Sequence, residues 1–104
     1  MIFKEFGSFT AHLTEYMDDD EYRLLQNALL VNPLAGVVIP GTGGVRKLRW
    51  AGSGRGKRGG LRIIYYLATG RSAFLMIFIY AKGDQADLRQ EQKHALRALM
   101  ASER

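Results

Sequence analysis

The chain has 104 residues, 47% of them hydrophobic and 24% charged, which suits one packed core (residues 1–104) and leaves no room for a second lobe. It contains no cysteine, which excludes disulfides and thiolate metal sites and fits a reducing, cytoplasmic setting. The net charge of +5 hides a division: no Asp or Glu stands between Glu21 and Asp84, where ten of the fifteen Lys and Arg lie. A middle segment at +10 between acidic flanks points to a polyanionic partner. The longest apolar run, Ala73 to Ala81, is too short to span a bilayer, and MIFKEFGSF has no cationic head leading into an apolar stretch, so neither membrane insertion nor secretion is expected.

Met1–Phe6 is expected to form a short edge strand. Phe9, Leu13, Tyr16 and Met17 then recur at helical spacing, with Ser8 or Thr10 as N-cap. DDDEYRLLQNALLVNP predicts a second helix, with its acids at the positive end of the helix dipole, Leu25 and Leu29 on one stripe, and Asn32-Pro33 as its stop. From Gly36 the period changes. VRKLRWA (45–51), LRIIYYLAT (61–69) and SAFLMIFIYAK (72–82) are rich in β-branched and aromatic residues and predict strands, the last two joined as a hairpin by Thr69-Gly70-Arg71. AGSGRGKRGG connects the first of these strands to the second. Asp84, with Asp87 three residues on, is expected to cap a final helix carrying Leu88, Leu96, Leu99 and Met100. The order β-α-α-β-β-β-α predicts an α+β fold: a small, mainly antiparallel sheet, an N-terminal helical hairpin and a C-terminal helix, all on one side of the sheet.

Alternation along strands assigns faces. Leu48, Trp50, Ile63, Leu67, Ile77 and Ile79 are expected against the helices. Lys47, Arg49, Arg62, Tyr66, Tyr80 and Lys82 then share the open face, and Arg46, of apolar parity, sits at the strand start. Four cations can neutralise phosphates and two tyrosines can stack on unpaired bases; alternatively, the tyrosines fill a minor second core.

Two glycine motifs fail on context. Gly54-Arg-Gly56-Lys-Arg-Gly59 has the dinucleotide spacing but leads into a strand rather than a helix, and around Gly56-Lys57 the P-loop spacing and its hydroxyl are missing. The basic face has no Asp, Glu, His or Cys to hold a metal, and none for paired-carboxylate catalysis; His12 and His94 sit on outer helices. Chemistry there falls to Lys, Arg, Tyr and backbone amides. RNA suits that set because its 2′-OH is its own nucleophile: cleavage needs alignment, charge stabilisation and proton transfer. Arginine can hold two phosphate oxygens, and a lysine crowded by cations gives up its proton more readily.

GTGGVRKLR, GRGKRGGLRIIYY and IYAK followed by an acid-capped helix resemble the RelE superfamily of bacterial type II toxins, and within it the HigB-type branch; DDDEYRLLQ is also similar to that branch. The resemblance covers nearly the whole chain. It implies a RelE-like fold and a ribosome-dependent mRNA endoribonuclease that needs no cofactor, acts in the ribosomal A site and is held inactive by a cognate antitoxin. It places catalytic residues at Lys47, Arg49, Arg62 and Lys82, and sets Tyr80 in the role of a C-terminal tyrosine used by some relatives. Arg55, Lys57 and Arg58 of the glycine-rich arm, with Arg46 and Tyr66, are expected to bind RNA. Gyrase poisons on related folds and plain nucleic-acid binders are the alternatives.

Overall fold

The computed structural model describes residues 1–51, 60–84 and 88–102. In chain order these form β1 (Ile2–Glu5), α1 (Gly7–Tyr16), α2 (Asp19–Val31), β2 (Val37–Val38), β3 (Arg46–Trp50), β4 (Leu61–Ala68), a 3-10 turn at Thr69–Arg71, β5 (Ala73–Ala81) and α3 (Gln90–Ser102). The strands make one sheet in the order β1-β5-β4-β3-β2. All its pairs are antiparallel except β1 with β5 at the edge, which is parallel. The α+β class is as expected, the N-terminal strand included; β2 is an addition. No helix among the described residues is long and apolar enough to cross a membrane.

Local signals set most element ends. Asp18 caps α2, its Oδ1 accepting from the Glu21 amide at 2.9 Å, and Leu25 and Leu29 bury fully. The helix ends at Val31, ahead of Asn32-Pro33. The cap expected for α1 is replaced: β1 runs straight into the helix, Phe6 holds the cap position without a side-chain bond, and Ser8 lies inside, its hydroxyl donating to the Ile77 carbonyl at 2.6 Å. Asp84 does not cap α3 either. It sits in the turn after β5, its amide donating to the Ala81 carbonyl at 2.9 Å, whereas α3 begins only at Gln90 and Arg89 N–H donates to Gln92 Oε1. Asp87 lies outside the described residues.

The sheet is covered on both faces, which corrects the expectation that all helices share one side. Phe9 of α1 and Leu25 and Leu29 of α2 pack with Ile63, Tyr65, Phe74 and Ile79. Leu96 and Met100 of α3 pack on the reverse with Ile64, Leu75, Ile77 and Tyr80. A β-bulge explains why Ile77 changed sides. Ile64 pairs with Phe78 but Tyr65 pairs with Met76, so Ile77 is the extra residue, and parity before it is inverted relative to parity after it.

Tyr65 ties β4 to the crossing segment after α2. Fully buried, its hydroxyl donates to the Pro33 carbonyl and accepts from the Gly36 amide, each at 2.9 Å. Burial pushes its pKa up, partly offset by the Gly36 amide and the Arg46 charge, so the hydroxyl keeps its proton. Tyr65→Phe strands both backbone groups and is expected to destabilise by about 1–3 kcal/mol, read as a lower urea midpoint at unchanged m-value. Gly36 must stay bare, since a Cβ there would stand 2.8 Å from Tyr65 Cε1.

Candidate nucleic-acid interface

Regular pairing of β3 with β4 sets the cations in rank. Arg49 lies directly opposite Arg62, and Arg62 directly opposite Tyr80, so three strands contribute one row across the sheet. Lys47, Ile64 and Phe78 make the next row on the same face. Opposed residues stand about 5 Å apart at Cα. Lys82 continues the β5 ladder, its amide donating to the Gly60 carbonyl at 3.1 Å, so alternation gives its side chain the parity of Tyr80. Lys47, Arg49, Arg62 and Lys82 therefore belong to one face, at the end of the sheet nearest the glycine-rich connection.

Their exposure differs. Arg49 and Lys82 are exposed and Lys47 is half-buried, but Arg62 is only 6% exposed, with Nη1 donating to the Leu61 carbonyl at 3.3 Å. Like charges directly opposed in a sheet repel, so the Arg49–Arg62 pair concentrates positive charge at this point of the face. No cross-strand neighbour in either row is a carboxylate. An anion lying over the row offsets that repulsion with both arginines at once.

The remaining candidates fall elsewhere. Arg46 pairs with Tyr65 and stands on the opposite face, where Nη1 donates to the Gly36 carbonyl at 2.8 Å. Tyr66 is half-buried and Tyr80 is buried; both join the core under α3, the minor-core alternative for these rings. Tyr80 thus walls the arginine row instead of offering a free face for stacking. Arg55, Lys57 and Arg58 lie outside the described residues.

A family model described as "RelE toxin of RelE / RelB toxin-antitoxin system" matches residues 40–103. The chain belongs to the RelE toxin family. The match spans β3, β4, β5 and α3, the segment that supplies the cationic rows, and leaves β1, α1, α2 and β2 outside it. RelE toxins act within toxin–antitoxin pairs, so membership makes this chain a toxin with a cognate antitoxin partner.

Sequence reasoning missed two polar contacts beside the cationic face. Glu21, on α2, is 4% exposed and its Oε2 accepts from Trp50 Nε1 at 3.2 Å, anchoring the end of β3 next to Arg49. Tyr16, at the end of α1, donates its hydroxyl to Asp84 Oδ2 at 3.0 Å and so holds the turn that carries Lys82. The partners are 29 and 68 residues apart, a separation at which no local pattern signals a bond.

Proposed function

We propose that this toxin is of the HigB type and cleaves mRNA in the ribosomal A site, without a metal, using the RNA 2′-OH as nucleophile. In the step, the 2′-oxygen gives up its proton and attacks the adjacent phosphorus, and the bond to the 5′-oxygen breaks. The products are a 2′,3′-cyclic phosphate and a 5′-hydroxyl formed when the leaving oxygen takes a proton. Arg49 and Arg62 hold the non-bridging oxygens as charge builds on them, and Lys47 and Lys82, on the same face, serve the proton transfers. The supporting observation is the cross-strand opposition of Arg49 and Arg62 on the face that also carries Lys47. The antitoxin, on this reading, neutralises the face or blocks its entry to the ribosome.

Primer extension on a translated message is expected to reveal new ends when the toxin is present, with a cyclic phosphate on the upstream fragment. One 2′-deoxy substitution at the cut site should abolish cutting there, because the nucleophile is gone. Growth arrest with intact message and damaged DNA would instead favour a gyrase-directed toxin.

A further inference from the structure

Beside the arginine row, a cleft of about 300 Å³ opens between α1, the end of β5 and the start of α3. Tyr16, Phe78 and Tyr80 give it aromatic walls, while Asp84, Arg89 and Gln92 give it polar ones. The volume is at the small end of ligand pockets, the scale of one nucleobase with part of its sugar.

The polar walls have opposite characters. Asp84 offers acceptors: Oδ2 takes the Tyr16 hydroxyl at 3.0 Å, and this is the carboxylate's one hydrogen bond among the described residues. A carboxylate has about four lone-pair sites, so most stay available. Burial, and then Asp84 itself, push the Tyr16 pKa up, so that hydroxyl remains a donor and keeps the carboxylate in place. Arg89 offers donors: Nε is spent on Glu91 Oε1 at 3.2 Å, and the terminal guanidinium nitrogens donate to nothing else among the described residues.

Among the four RNA bases, guanine alone sets two adjacent donors, N1–H and N2–H, toward a carboxylate while presenting O6 and N7 as acceptors to a guanidinium. Adenine and cytosine put an acceptor beside their donor, and uracil has a single donor between acceptors. The cleft joins the cationic face through Tyr80, the direct cross-strand partner of Arg62, so a strand crossing that row passes the cleft mouth. We infer that the cleft receives one unstacked guanine of the RNA lying on the cationic face, selected by Asp84 and Arg89. The inference rests on the reading of that face as an RNA site.

The test is an NMR titration of the full chain with guanosine, adenosine, cytidine and uridine 5′-monophosphates. Guanosine monophosphate is expected to shift the amides of Ser8, Tyr80, Asp84 and Gln92 and to bind about tenfold more tightly than the others. Asp84→Asn replaces an acceptor with a donor and should erase the preference; Arg89→Gln should weaken it, and serves alone if Asp84→Asn does not fold. No shift at these amides, or equal affinity for all four nucleotides, overturns the inference. A guanine preference without RNA cleavage keeps the cleft and removes the nuclease; cleavage with no preference does the reverse.

Discussion

Arg62→Ala is expected to lower message cleavage by about 10²–10³-fold, the usual loss when one fixed donor to a developing oxyanion is removed. Arg62 is the best placed of the four cations for that role. It is buried at 6% exposure between Arg49 and Tyr80, so its guanidinium is already oriented before RNA arrives. Exposed Arg49 and Lys82 must order their side chains on binding, and their alanine variants should lose less. Arg62→Lys retains the charge but not the planar fork, so it should recover only part of the rate. Urea midpoints measured on the same variants separate folding from chemistry: a folded Arg62→Ala protein cutting at the wild-type rate would remove the arginine row from the mechanism.

How far the sequence reached depended on where alternation carried information. In KLRW and LRI, charged and apolar residues alternate, and no bulge interrupts β3–β4, so parity alone placed Lys47, Arg49 and Arg62 together. Along AFLMIFIYA every residue is apolar or aromatic, so the extra residue at Ile77 left no mark, and parity carried back past it put Ile77 on the wrong face. The side taken by α3 was missed for the same reason. Ala73, Leu75 and Ile77 make an apolar surface opposite α1 and α2 that must be covered, and Leu96 and Met100 cover it, but the bulge concealed that surface. The burial of Tyr80 follows from this packing. Capping failed at Asp84 because α3 begins only at Gln90, while Asp84 stays in the turn after β5, where it accepts from Tyr16 in a contact made only after the chain has folded.

RNA affinity should fall steeply with salt, and the steepness counts the phosphates engaged. For a single strand, log affinity changes by about −0.7 per log unit of salt for each phosphate neutralised. With Lys47, Arg49, Arg62 and Lys82 each taking one, the slope should be about −3, and affinity should drop about 50-fold between 50 and 200 mM salt. A short 2′-O-methyl RNA, which cannot be cut, isolates binding from cleavage. Arg49→Gln should flatten the slope to about −2 and reduce the drop to about 20-fold. Arg46→Gln removes the same charge, one strand position from Lys47, but on the opposite face, where its guanidinium donates to the Gly36 carbonyl. Its slope should match the wild type even if the protein is less stable. If both substitutions flatten the slope equally, the RNA senses only net charge, and the ranked cations on the sheet are not its binding surface.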